Sequence, residues 1–420
     1  MQLNKVQNMS TEEDLLLEAE NVFSKGLVDS IRQRGHDFIE QGGKGSFLFD
    51  SQGNRYIDCL TSASTYNLGR NNKVIIDELQ QASRETDQGL FVTTSEEKVA
   101  LAKRLSAFVP GPLNCMLMQV ARGEPFDGAC KLARGYTGRS EIIALKGSWH
   151  GQTGFAVSLT DREDRQDFGS IMPETKIVDK DNLISSISKN TAAVIVEPIQ
   201  VENHCRALDS KHLSELREVC NKFGTLLIFD ETQTGFGRTG CKFAYELLGI
   251  NPDILILGEA ITNGVFPMAG IMYTEALKQF FEGSVGLHIS TFGGHDVGCR
   301  VACKALEEYE RVRPWNNASI MGDKLLSGLT CIAETNPRLF ESVQGVGLLI
   351  SLKLKTEKLA LDFCAAAKDS GIIVMPALLD KKCVLLRPTL TITNKEVEII
   401  IHACILAAEA VTNNKLARTI

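Results

Sequence analysis

The feature of this 420-residue sequence that most constrains its fold is an alternation of helical segments and short apolar runs between residues 94 and 279. The apolar runs have the length and β-branched content of buried strands. Such alternation predicts a largely parallel sheet with helices on both faces, in which ligands bind at the carboxyl ends of the strands. The predicted strands are 141–145, 192–197, 225–230, 254–257 and 269–273, and the predicted helices are 96–108, 126–136 and 211–223.

The flanking segments predict a second, smaller domain. A helical stripe covers residues 10–34, a hairpin-like stretch covers 46–58, and helical and strand-like runs alternate after a long helical segment at 295–313. We therefore expect three parts along the chain. These are an N-terminal arm and cap that joins the small domain (1–70), a large α/β domain (71–315) and a C-terminal small α+β domain (316–420).

Charge and composition argue against several classes of function. The chain has 45 Lys and Arg against 52 Asp and Glu, so its formal net charge of -7 gives no reason to expect nucleic acid or an anionic membrane as a partner. The apolar runs are too short to span a bilayer, and the polar N-terminus lacks a secretory signal pattern. The twelve cysteines include no Cys-x-x-Cys pair, which favours reduced thiols. We expect a cytoplasmic protein.

The most informative segment begins where an apolar strand ends in Asp230 and a glycine-rich loop follows. A carboxylate at the end of a buried strand requires a partner, and a protonated heteroaromatic nitrogen is one candidate. The other interpretation is that Asp230 caps the loop.

Five motifs in order along the chain give the sequence a resemblance to a known family. They are GSWHG (147–151), VEPIQ (196–200), DETQTGFGRTG (230–240), STFGG (290–294) and LRPTLTI (386–392). The sequence resembles the class III aminotransferases, the ornithine, 4-aminobutyrate and diamine type, among the fold type I enzymes that use pyridoxal phosphate (PLP). The resemblance runs from about residue 20 to residue 410. It implies a large domain with a mostly parallel, doubly wound sheet and a small α+β domain.

The resemblance also implies a PLP or pyridoxamine phosphate (PMP) site and assigns residues to it. Asp230 would pair with the ring nitrogen, Gln233 would reach the ring hydroxyl, and Trp149 would stack on the ring face. His150 would support its loop.

Further roles follow from the same resemblance. Thr291 would contact the cofactor phosphate of the other subunit in a dimer, because each site in this family is completed by its neighbour. Arg387 would hold a substrate carboxylate, and Glu197 would mask Arg387 when a side-chain amine enters.

The sequence departs from the family at the residues that hold the cofactor. The family's Schiff-base lysine position holds Glu259, and there is no lysine between Lys242 and Lys278. In the phosphate-binding turn, Arg122 replaces a glycine and Gly123 replaces a hydroxyl residue. Arg122 would fill the phosphate space or pair with Glu259. We therefore expect cofactor binding that is weak or absent and not covalent.

Three hypotheses follow. In the first, the chain is a pseudoenzyme that dimerises and, through Thr291, completes the site of a lysine-bearing paralogue; without such a partner it is a homodimer. In the second, it is a PLP- or PMP-using enzyme, similar to sugar dehydratases, with Glu259 as base. In the third, it is an amino acid or diamine transaminase, as the family resemblance implies, with its lysine supplied from elsewhere or with the sequence deliberately altered at the site.

Overall fold

The structure is a computed structural model that describes residues 11–90, 92–169, 172–282 and 288–417. Its strands belong to four sheets. The strands are β1 (Glu40–Lys44), β2 (Phe47–Asp50), β3 (Arg55–Asp58), β4 (Leu113–Gln119), β5 (Glu141–Leu145), β6 (Thr175–Val178), β7 (Thr191–Val196), β8 (Ile199–Gln200), β9 (Arg206–Ala207), β10 (Leu226–Asp230), β11 (Ile254–Leu257), β12 (Ala269–Thr274), β13 (Phe340–Val346), β14 (Leu349–Leu354), β15 (Ile372–Ile373), β16 (Met375–Pro376) and β17 (Cys383–Leu386).

Helices connect most of these strands. They are α1 (Glu12–Val22), α2 (Lys25–Gln33), α3 (Lys73–Glu85), α4 (Glu96–Phe108), α5 (Gly123–Thr137), α6 (Gly154–Leu159), α7 (Lys180–Leu183), α8 (Ser210–Phe223), α9 (Tyr245–Leu248), α10 (Gln279–Glu282), α11 (Asp296–Val312), α12 (Pro314–Thr335), α13 (Glu357–Asp369) and α14 (Asn394–Ala417). Short 3-10 helices cover Glu163–Phe168, Glu259–Thr262 and Glu275–Lys278. Thr61–Ser64 is a turn in which all four residues have positive φ.

The largest sheet has seven strands in the order β4-β12-β11-β10-β7-β5-β6. Strands β11, β10, β7, β5 and β6 pair in parallel, whereas β12 is antiparallel to both of its neighbours. The prediction of a large, mostly parallel sheet is confirmed.

Apolar side chains from both faces of this sheet are buried. Ile228 of β10 belongs to the same apolar cluster as Phe126 of α5, while the next residue, Phe229, belongs to the cluster on the opposite face, with Leu105 of α4 and Leu213 of α8. Because successive side chains of a strand point to opposite faces, a strand covered on both sides must be apolar throughout. This burial explains the continuous apolar runs in the sequence and confirms the doubly wound arrangement.

The structure divides one predicted helix and adds elements that were not predicted, among them α3, β4 and β6. The helical stripe over residues 10–34 forms two helices, α1 and α2, because Ser24 breaks the run and caps α2 by accepting the Leu27 N–H at 3.1 Å. Strand β4 was not predicted. Asn114 and Gln119 interrupt its apolar pattern, and its burial does not alternate.

The smaller part of the molecule is built on the antiparallel sheet β13-β14-β17-β16, which packs with α12, α13 and α14. The N-terminal strands join it, since β3 pairs in parallel with β15 and Ile57 lies in the same apolar cluster as Phe363. This arrangement confirms a small α+β unit. No helix within the described residues is long and apolar enough to cross a membrane.

Candidate active site

Four predicted site residues lie where neighbouring strands of the large sheet end. Asp230 is the last residue of β10, Glu197 directly follows β7, Trp149 lies four residues after β5, and Glu259 begins the 3-10 helix after β11. Since β11, β10, β7 and β5 are adjacent and parallel, their carboxyl ends meet at one edge of the sheet. We call these four residues the strand-end site.

Asp230 is 3% exposed and makes two contacts within the protein. Its Oδ2 lies 2.8 Å from Nδ1 of His150, and its Oδ1 accepts the backbone N–H of Thr232 at 3.0 Å. Asp230 therefore caps its loop and also contacts an imidazole ring, while its pairing with a cofactor nitrogen stays a prediction. Sequence reasoning gave His150 only a role in its loop. The structure also places its ring directly on Asp230.

Glu197 is buried beside Asp230. Its carboxylate accepts the backbone N–H groups of Trp149 at 2.8 Å and Val201 at 3.3 Å. Burial, followed by the negative charge of Asp230, raises the pKa of Glu197 well above its ordinary value. Glu197 forms no ion pair with Arg387 in the described part of the chain. The masking of Arg387 by Glu197 when an amine enters stays a prediction.

The acid that contacts Arg387 is Glu202. The two side chains are 2% and 3% exposed, and Nη1 of Arg387 lies 3.4 Å from Oε1 of Glu202. Oε2 of Glu202 also accepts the backbone N–H of Leu378 at 2.7 Å. Gln233, predicted to reach a cofactor hydroxyl, accepts a hydrogen bond from Arg387 through its Oε1. The predicted carboxylate-binding arginine is thus neutralised by the protein itself.

Glu202 was not predicted as a site residue because it lies outside the VEPIQ motif. Glu202 lies in the turn between β8 and β9, two residues beyond that motif. The available signal was an acidic residue in a short connection close to a motif at a strand end.

Trp149 is buried, with 7% of its surface exposed. The guanidinium of Arg162 lies 5.6 Å from the centre of its ring, within the range of a cation–π contact. The backbone N–H of Trp149 also donates to Glu197. Trp149 is therefore held at the strand-end site by a backbone hydrogen bond and by the contact of its ring with Arg162.

Glu259 is half-buried and lies against the N-terminus of α5. Its Oε1 accepts the backbone N–H of Arg122 at 3.0 Å. The predicted contact between Arg122 and Glu259 therefore exists, but the backbone of Arg122 makes it. No ion pair joins their side chains in the part of the chain that the structure describes.

Gly123 follows in the first turn of α5. A Cβ atom at this position would overlap Oγ1 of Thr153. The hydroxyl that the family carries at residue 123 therefore cannot be added without moving Thr153. Thr153 was not predicted as a site residue, because only the folded chain brings it next to Gly123.

Thr291 lies on an exposed loop, away from interior contacts. Its backbone carbonyl accepts a hydrogen bond from Nε2 of Gln88 at 2.8 Å, and the backbone of Gln88 in turn accepts the N–H of Asp296 at 3.2 Å. Phe292 next to it is 55% exposed. The loop is anchored by this backbone contact and by the Ser290 hydroxyl, which donates to Glu124, while Thr291 and Phe292 are exposed.

Solved structures of transaminases share this fold. A transaminase from the marine bacterium Virgibacillus aligns with a TM-score of 0.88 at 25% identity, covering 95% of this chain and 99% of that chain. The ornithine aminotransferase of Toxoplasma gondii aligns with a TM-score of 0.90 at 24% identity, covering 98% of both chains. The fold is that of the fold type I transaminases.

Sequence comparison identifies the family. The model of the class III aminotransferases matches residues 31–407. An uncharacterized aminotransferase of Archaeoglobus fulgidus is 32% identical over 369 residues, which are 87% of this chain and 87% of that protein. The chain belongs to the class III aminotransferase family.

The family's cofactor, PLP, fits only one end of this site. Asp230 and Trp149 provide the buried carboxylate and the aromatic ring that a pyridine ring requires. At the other end, the Glu259 carboxylate already accepts the Arg122 N–H at the start of α5, where the family binds phosphate. A phosphate at this end would have to compete with Glu259 for the Arg122 N–H.

Proposed function

We propose that this chain is a non-catalytic member of its family, which dimerises and completes the active site of a lysine-bearing paralogue through Thr291. The observation that carries the proposal is Glu259, which follows β11, the neighbour of the strand that ends in the buried Asp230. Amino transfer in this family requires a lysine amine at that point, and residues 243–277 contain none. A carboxylate cannot form a Schiff base, so the covalent route is closed.

An exposed apolar surface supports the proposed association with a second subunit. It consists of Leu90, Val92, Ile289 and Phe292, which are between 54% and 64% exposed. The hydrogen bond from Gln88 joins the two segments that carry these residues. Clustered exposed apolar side chains are typical of surfaces that another chain covers. Thr291 lies within this surface, as its proposed role requires.

The experiment is co-expression with a lysine-bearing class III homologue from the same genome. We expect a mixed dimer by size-exclusion chromatography and mass spectrometry, with transaminase activity at the homologue's lysine. Thr291→Ala in this chain should lower that activity about tenfold or more, the effect of one lost hydrogen bond to a charged group. Thr412→Ala, which alters an exposed threonine on α14, is the matched control and should leave activity unchanged.

A mixed dimer whose activity is the same with Thr291→Ala as with Thr412→Ala would contradict the contribution of Thr291. If no mixed dimer forms, the proposed role as a partner subunit is contradicted. The remaining proposal would then be a non-catalytic homodimer.

A second candidate function is an enzyme that binds the amine form of the cofactor without a covalent bond and uses Glu259 as base. The retained contact between Asp230 and His150 and the raised pKa of the buried Glu197 favour it, because such groups serve acid–base catalysis. Titration with PMP separates the two functions. If the wild type binds PMP with micromolar affinity and Glu259→Gln does not bind it more tightly, the enzyme function is supported. If the wild type does not bind PMP, the enzyme function is refuted.

A further inference from the structure

The N-terminus of α5 already has carboxylate partners from within the chain. A helix N-terminus has backbone N–H groups without intrahelical partners and a partial positive charge, so it attracts anions. Glu259 accepts the N–H of Arg122 at 3.0 Å. On the preceding loop, Oε2 of Glu124 accepts the N–H of Val120 at 2.8 Å and the hydroxyl of Ser290 at 3.1 Å. Donors on both sides of Ala121 are therefore engaged by carboxylates.

The space around this helix start is also occupied. The hydroxyl of Thr153 lies where a side chain on residue 123 would project. The side chain of Arg122 passes beside Gly151, whose φ of +134° few other residues adopt. An incoming phosphate would therefore have to displace the Glu259 carboxylate from its hydrogen bond and move the Thr153 hydroxyl.

We infer that Glu259 is a built-in anion, which stabilises the start of α5 in place of the cofactor's phosphate and thereby excludes phosphorylated ligands. Two features of the replacement agree with this role. The carboxylate supplies the negative charge that the helix terminus favours, and its repulsion would weaken any phosphate bound beside it. The inference deepens the proposed function, because it explains how the subunit remains folded without a cofactor.

The test compares ligands that differ only in the phosphate. Wild-type protein, Glu259→Gln and Glu259→Ala are titrated by calorimetry with PMP, pyridoxamine and inorganic phosphate. Neither amine ligand carries an aldehyde, so reaction with surface lysines does not occur. We expect the wild type to show no preference for PMP over pyridoxamine. Removing the negative charge should create a preference of about tenfold or more, larger for Glu259→Ala, which also opens the space.

The control is Glu96→Gln, which removes an exposed acid from the first turn of α4 and should leave all three affinities unchanged. Inorganic phosphate should raise the unfolding temperature of both Glu259 variants and not that of the wild type.

A wild-type preference for PMP would overturn the inference, and this result does not require a variant to fold. Variants that fold but gain no affinity for PMP or phosphate would also overturn it. The proposed function is tested separately, because the mixed dimer's activity depends on the homologue's lysine and on Thr291. Either claim can therefore fail while the other stands.

Discussion

Arg387 pairs with Glu202 and not with Glu197, although the two buried acids are only five residues apart. We therefore predict that removing the charge of each acid changes the free energy of unfolding by a different amount. The change is Glu202→Gln compared with Glu197→Gln, since glutamine keeps the shape of the side chain and removes its charge. Both acids are nearly inaccessible to solvent. The difference in unfolding free energy between the two variants therefore shows which acid is paired with Arg387, because the two acids do not differ in solvent exposure.

The magnitude follows from the geometry. At 3.4 Å, opposite charges attract by about 5 kcal/mol at an effective dielectric constant near 20. Breaking a buried ion pair and leaving one charge typically costs about 3–5 kcal/mol. Because glutamine can still accept a hydrogen bond from Arg387, we expect Glu202→Gln to lower the free energy of unfolding by about 3 kcal/mol.

Glu197→Gln should behave differently. Burial and Asp230 raise the pKa of Glu197, so its negative charge is unfavourable in the folded protein. Trp149 and Val201 donate to different oxygens of Glu197, so glutamine keeps an acceptor for the shorter bond, from Trp149, and loses the longer one, from Val201. Removal of the unfavourable buried charge offsets part of that loss. We expect a change within about 1 kcal/mol.

The assay is urea unfolding at pH 7 followed by circular dichroism, with the two variants and the wild type at one protein concentration. A larger loss for Glu197→Gln than for Glu202→Gln would refute the assignment of Glu202 as the partner of Arg387.

Two further predictions concern stability. Burial raises the pKa of Glu231 to about 7, so its protonated form contributes stability that is fully present below about pH 4.5 and is lost as the pH rises through 7. The difference in unfolding free energy between wild type and Glu231→Gln should accordingly fall by about 3 kcal/mol between pH 4.5 and 8, and a constant difference would contradict this pKa. Gly123→Ser should destabilise the protein by about 1–3 kcal/mol in urea unfolding, because its Cβ overlaps the Thr153 hydroxyl. Adding Thr153→Ala should restore most of that loss, and an equal loss in the double variant would show that Thr153 is not the obstacle.

The sequence predicted those parts of the fold that follow from local patterns. The bounds of α4, β5 and β11 agree with the predicted ranges, because buried strands and amphipathic helices have characteristic apolar periods. Strand β4 escaped prediction since it lies at the sheet edge with polar residues in its sequence. The break between α1 and α2 depends on a single capping serine within a continuous helical pattern.

Those residues of the candidate site that lie at the end of a strand were predictable from the sequence. Asp230 and Glu259 follow apolar runs, so the sequence alone places them at one edge of the sheet. Contacts between distant segments were not predictable in the same way. Glu202 and Arg387 are 185 residues apart. Thr153 meets Gly123 only because the loop before α6 folds over the start of α5.

An ordinary composition is compatible with the loss of activity that we propose. Glu259 replaces one charged residue by another of opposite sign, and the surrounding apolar core is intact, with Ile256 and Leu257 fully buried. Fold stability depends on that core, whereas amino transfer depends on one amine. The two can therefore change independently.

The most direct test of the central claim is the activity of the chain purified alone. Supplied with PLP, an amine donor such as ornithine or 4-aminobutyrate, and a keto acid acceptor, it should form no amino acid product above the no-protein control. A carbonyl-trapping reagent abolishes the absorbance band of PLP bound to a lysine. The chain should show no such band beyond the signal from PLP on surface lysines. Sustained amino transfer by the wild type that disappears in Glu259→Ala would contradict the claim that this subunit does not catalyse the reaction.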